Sequence, residues 1–266
     1  MRSFNEYLFQ IEEIMSTSTP LHPDQHSRIK IKQDVDFDTI SNQQFSALTV
    51  PEFSQAASSY PIVLLKDAQS GTFVAAALWG LEGEQNVFYN RNTQQWDAVH
   101  LPNEVQCQPF SIGRMSNDSD ALILHINEQS NQVQESEGQA LFEDGKETAY
   151  LKSMQNKLTE HYQNQLLTRD FINLLLKKSL VKEIEIIASY EDGNLRKVKG
   201  LYTIDEEALA GLCDDDINSF FKRNLFVPIY AMLGSLTQFN RLMKLNNHNG
   251  LHATIARLQM KTPGID

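Results

Sequence analysis

The chain has 266 residues, 41% of them hydrophobic and 21% charged, and carries a formal net charge of −11 at pH 7. This composition excludes extended disorder and supplies enough apolar side chains for a core that needs no covalent staple. The negative charge argues against nucleic acid and anionic lipid as partners, because either would have to overcome the background field of the protein.

In chain order, Phe4, Leu8, Ile11 and Met15 have helical spacing, and Glu6, Glu12 and Glu13 interrupt any apolar leader, so a cytoplasmic location is expected. Ser16 to Pro23 is a Ser/Thr/Pro linker, which makes 1–24 an N-terminal helix and linker. Ser27 to Lys32 alternates as a strand does, and Pro51 opens a short helix carrying Phe53, Ala56 and Ala57 that ends at Tyr60, before Pro61. Strands are predicted over Ile62 to Lys66, Thr72 to Trp79, Asn86 to Tyr89, Phe110 to Met115 and Ala121 to Ile126. The turn signals between them, Asp67 to Gly71, Glu82 to Glu84, Asn90 to Thr93 and Asn117 to Asp120, are too short for crossover helices.

Glu147 to Ser179 changes to a helical period, with Leu151, Met154, Leu158, Tyr162 and Leu166 on one stripe, as one helix or as two bent near Thr168. Lys182 to Tyr190 and Leu195 to Thr203 flank Asp192-Gly193, a strong hairpin signal. Asp205 and Asp214 are placed to cap two short helices. Leu225 to Leu245 forms the last helix, and its apolar run to Leu236 is about half of the ~20 residues a membrane helix needs. Residues 246–266 read as a frayed polar tail. The fold class is therefore α+β, an antiparallel β meander packed with a helical C-terminal half. The expected domain is 25–245, β-rich over 25–145 and helical with a β-hairpin over 146–245.

Chemistry is sparse. Asp34, Asp36 and Asp38 alternate like the start of a calcium loop, but Thr39 stands at the glycine position and Phe45 at the bidentate glutamate position. Asp214, Asp215 and Asp216 open a helix, where negative charge meets the macrodipole favourably. No metal site is expected, and no residue pattern names a cofactor. The chain contains no GxSxG elbow and no GxGxxG, and Gly145-Lys146 lacks the surroundings of a phosphate loop. Cys107 and Cys213 form no CxxC pair, and Cys107 has no neighbouring base to generate thiolate. His100 and His125 stand out by lying on or beside strands. Tyr89, Trp96 and His100 are the expected ligand-binding residues, and His100, Asp97 and His125 are the acid/base candidates if the protein is an enzyme.

The strand region and the last helix together resemble the SapC family of bacterial proteins, named from a surface-layer protein locus. The resemblance rests on Tyr60-Pro61-Ile62-Val63-Leu64-Leu65-Lys66-Asp67, Gly80-Leu81, Asn86-Val87-Phe88, Trp96, Leu101-Pro102, Pro109-Phe110, Asp192-Gly193, Ile204-Asp205-Glu206 and Ile229-Tyr230-Ala231, and it covers roughly residues 25 to 245. It implies a soluble accessory or ligand-sensing protein that supports envelope transport, surface-layer secretion or TonB-dependent uptake. It implies no established activity; an enzyme acting on amino acids, peptides or envelope glycans is the alternative. A component of envelope transport or secretion is the implied partner, and the long and N-terminal helices offer surfaces for a homodimer. Relatives tend to carry an arginine pair shortly before Pro-Phe, where this chain has Gln106 and Cys107, and an aromatic where it has Gln108. An anion site built on that pair would be lost here.

Overall fold

Local chemistry sets where each element begins and ends. In the computed structural model the described residues are 18–67, 70–81, 83, 85–114, 122–250 and 253–263. The helix expected before Met15 and the turn expected over Asn117 to Asp120 lie outside them. The first elements are β1 (Ser18–Pro20), α1 (Pro23–His26), β2 (Lys30–Ile31), α2 (Phe37–Ile40) and β3 (Phe45–Ala47). Thr49 and Glu52 then form a capping box around a 3-10 turn that leads into α3 (Phe53–Ala56). Next come β4 (Ile62–Lys66), β5 (Phe73–Leu78), β6 (Tyr89–Asn90), β7 (Gln95–Trp96), α4 (Asn103–Gln106), β8 (Phe110–Arg114) and β9 (Leu122–Asn127). Four two-residue strands follow, β10 (Val133–Gln134), β11 (Gln139–Ala140), β12 (Phe142–Glu143) and β13 (Lys146–Glu147).

Helix α5 (Ala149–Lys177) is continuous through Thr168. It ends where Ser179 enters the left-handed region and the Leu180 amide donates to the Leu175 carbonyl. The expected hairpin is β14 (Val181–Tyr190) and β15 (Leu195–Ile204), and Gly193 supplies the positive φ of its turn. Asp205 caps α6 (Glu206–Ala210), accepting from the Glu207 and Ala208 amides. Asp214 does not cap α7 (Asp214–Lys222): Cys213 holds that position without a side-chain capping bond, and Asp214 to Asp216 fill the first turn instead. The long final helix is divided into α8 (Phe226–Ser235), a 3-10 turn at Leu236–Gln238 and α9 (Phe239–Asn249). The expected frayed tail carries β16 (Ile255–Lys261).

The chain divides into two compact units, one formed by the described residues of Phe37–Pro102 and Gln165–Asp266, the other by those of Glu6–Asp36 and Asn103–Asn164. The first holds a six-stranded sheet in the order β16-β14-β15-β4-β5-β3, in which every neighbouring pair is antiparallel. Strand β4 thus pairs with the late hairpin and β5 with β4, while β8 and β9 belong to a sheet of the other unit. Ile62 to Leu65 and Ala75 to Leu78 are buried at consecutive positions, so both faces of the sheet centre are covered. Helix α8 packs on β4 and β15, α3 packs on α8, and α9 packs on β16. The Ser235 hydroxyl joins α8 to the sheet by accepting from the Ile62 amide at 2.8 Å and donating to the Met232 carbonyl at 2.6 Å.

In the other unit β1-β9-β8 and β10-β2-β11 form small sheets around Ile31, Phe110, Ile126, Leu141, Leu151 and Leu158. Cys107 is buried in this core, and Cys213, in the first unit, is exposed. Gly138 has no room for a side chain, since a Cβ there would stand 2.4 Å from the Ile31 carbonyl oxygen. Among the described residues no helix is long and apolar enough to cross a membrane. Replacing Ser235 with Ala leaves the Ile62 amide unpaired in the core, and urea unfolding should show a loss of about 1–3 kcal/mol.

Candidate functional site

A short ribbon anchors the site. Strands β6 and β7 pair Tyr89 with Trp96 and Asn90 with Gln95, and the Asn90 side chain closes the turn by accepting from the Asn92 and Thr93 amides. The Phe37 ring stacks on both Tyr89 and Trp96, with centroids 5.4 Å apart in each case. Tyr89 is buried and its hydroxyl donates to Asp38 at 3.1 Å. Behind the ribbon, Trp96 meets Trp79 edge-on at 5.3 Å and lies within 6.4 Å of Tyr60.

Arg241 of α9 clamps the end of the ribbon. Its guanidinium donates at 2.8 Å both to the Asp97 carbonyl and to the Asp97 carboxylate and lies over the Phe88 ring. Asn249 donates to the Val87 carbonyl. The two segments enclose a cleft of about 430 Å³, with Val87, Phe88, Trp96 and Leu245 as its apolar lining and Asn90, Thr93, Gln95, Asp97, His248 and Asn249 as its polar lining. Neutral amides and a hydroxyl beside an aromatic surface can bind a small polar molecule through directed hydrogen bonds.

His100 points away from this chemistry. It is buried, and its Nε2 lies 3.1 Å from Glu52 Oε1, while Glu52 Oε2 accepts from the Thr49 amide at 3.0 Å and the Thr49 hydroxyl at 2.7 Å. The His100 carbonyl accepts a hydrogen bond from the Tyr60 hydroxyl. Burial pushes the Tyr60 phenol far above its ordinary range, an effect only partly countered by the Trp96 indole and the Arg241 charge. His125 lies in the other unit, on β9, directly across from Ser111; its Nδ1 and the Ser111 hydroxyl are both buried without a hydrogen bond among the described residues.

Of the expected residues, Trp96 and Asp97 therefore line the cleft, Tyr89 supports it through Phe37 and Asp38, and His100 ties the segment to Glu52. Sequence reasoning passed over Asn90, Gln95, Arg241, His248 and Asn249. The last three belong to the polar side of α9, which periodicity alone reads as a solvated face. Gln106 accepts from Lys157 at 3.0 Å.

A family model described as SapC matches residues 21–242. No curated protein and no solved structure matches the chain.

Two outcomes test the structural role of this network. Glu52→Ala, which leaves the buried imidazole and the Thr49 donors without their acceptor, should destabilise the fold by about 1–3 kcal/mol in chemical denaturation, and His100→Ala should also destabilise it. The raised Tyr60 phenol stabilises the fold fully below the unfolded value of about 10; stability then falls as pH rises further, because the unfolded chain ionises first. Tyr60→Phe should shrink that alkaline loss without abolishing it, since Tyr150 and Tyr202 are raised by burial as well; thermal midpoints measured across that range report it.

Proposed function

The chain belongs to the SapC family, and from that premise we propose that it is a ligand-binding accessory protein, acting in the cytoplasm in support of envelope transport, surface-layer secretion or TonB-dependent uptake. The observation that carries the reading is the cleft itself, where an aromatic lining and Asn90, Gln95 and Asn249 face a space of small-molecule size. A hydroxyl-rich or amide-bearing envelope component, such as a sugar or a short peptide, matches those donors and acceptors. The buried pairing of His100 with Glu52 and the clamping of Asp97 by Arg241 support binding over turnover, since both groups already have partners.

The enzyme reading retains one observation in its favour: Asp97 and His248 line the same cleft, so a carboxylate and an imidazole border one ligand space. The two readings part in a single experiment. Untagged protein is isolated gently from its own cells and its native mass measured beside that of Gln95→Ala and His248→Ala variants. Binding predicts a stoichiometric small mass that the Gln95 variant loses while remaining folded. Chemical conversion of that molecule on incubation, abolished by His248→Ala, would instead establish an enzyme; a bare chain would count against the cleft as the functional site.

A further inference from the structure

Two carboxamides line the cleft, one from each segment that encloses it, and the main chain holds each of them by one end only. On the ribbon, Asn90 Oδ1 accepts from the Asn92 amide at 3.0 Å and from the Thr93 amide at 3.2 Å. At the end of α9, Asn249 Nδ2 donates to the Val87 carbonyl at 2.8 Å. A backbone N–H can only donate and a backbone carbonyl can only accept, so neither carboxamide is free to turn over. Among the described residues neither side chain makes another hydrogen bond. Asn90 Nδ2 is therefore left as a donor and Asn249 Oδ1 as an acceptor.

The rest of the lining narrows what such a pair can take. It holds neither Lys nor Arg, and Asp97 contributes a carboxylate, so a carboxylate or phosphate group would meet no permanent positive charge there. Arg241 is already engaged by Asp97 and by the face of Phe88. A hydroxyl can rotate to donate or to accept, and so does not select for one fixed donor and one fixed acceptor. A secondary amide does, because it carries its N–H and its carbonyl on separate atoms of a rigid plane. Val87, Phe88, Trp96 and Leu245 supply apolar surface for the carbons on either side of it.

We infer that the cleft recognises a secondary amide, whose carbonyl accepts from Asn90 Nδ2 and whose N–H donates to Asn249 Oδ1. This pairing presumes that the cleft is the ligand site proposed above, and it narrows the ligand from any small polar molecule to one that carries an amide. N-acetylated amino sugars and peptides share that group. Asn90 then serves twice: its oxygen builds the turn of the ribbon and its nitrogen reads the ligand.

The test is a nuclear magnetic resonance titration of the full chain, followed on the side-chain amide of Gln95 in the cleft lining, with N-acetylglucosamine and N-acetylglycine N-methylamide as probes. At least one is expected to bind, and which one does so names the source of the amide. Glucose, which keeps the hydroxyls without the amide, and the peptide methylated at its amide nitrogens, which keeps the carbonyls without the N–H, should each bind about tenfold more weakly than their parents. Asn90→Asp keeps the oxygen that closes the turn, so circular dichroism should stay unchanged, but it exchanges the donor for a carboxylate oxygen and should weaken probe binding by about tenfold or more. An Asn90→Asp chain that binds as tightly as the wild type, or a counterpart without the amide N–H that binds as tightly as its parent, would overturn the amide while leaving the cleft as a ligand site. So would a ligand captured with the native protein that contains no amide. If no probe moves Gln95 the amide fails, and if the native mass is also that of the bare chain, the cleft fails with it.

Discussion

A carboxylate taken out of water must be met by donors on both oxygens, and Glu52 satisfies that demand by drawing separate segments together. Thr49 donates twice to one oxygen, which fixes the turn entering α3, and the His100 imidazole approaches the other. The His100 backbone in turn receives the Tyr60 hydroxyl, and Tyr60 immediately precedes the strand that runs through the centre of the sheet. Removing a partner would leave a buried polar group exposed to no solvent, a large cost on the scale of a protein's net stability. The path of the chain from the capping box through β4 and back to residue 100 is thereby held by one group.

That constraint places the ribbon of β6 and β7, and α9 completes the site from the other side. Arg241 holds the Asp97 backbone and side chain, and Asn249 holds Val87, so the edges of the cleft are joined by hydrogen bonds as well as by apolar contact. Phe37 occupies the space between the faces of Tyr89 and Trp96. The aromatic residues therefore form much of the cleft's wall, and the amides around them supply most of its polar lining.

Much of this architecture was legible because its signals are local. Asp192-Gly193 marks the hairpin, Asp205 the cap, and the apolar stripe through Leu151 and Leu158 the long helix, and each depends on residues a few positions apart. The path of the strands was less visible. Apolar runs at 62–66 and 122–127 enter different sheets, since pairing partners are chosen by contacts distant in sequence. Strand β16 escaped notice, although Leu258 and Met260 alternate with Arg257, Gln259 and Lys261, because it lies in a tail read by its overall polarity. The segment from Tyr89 to His100 was singled out by its residue types, yet the inward turn of the imidazole depends on Glu52, nearly fifty positions earlier, and the clamp depends on Arg241, far later; neither pairing leaves a mark in local spacing.

The ends of the six-stranded sheet have a bearing on how this protein keeps to itself. One margin is β3, only three residues long. The other is β16, which carries Arg257 and Lys261, both exposed, along a strand already bonded to β14. A neighbouring chain that tried to extend the sheet would find a stub on one side and a row interrupted by cations on the other. Growth by strand addition is thus discouraged at both margins, and an extensive β core can be carried at high concentration without becoming a template for fibres.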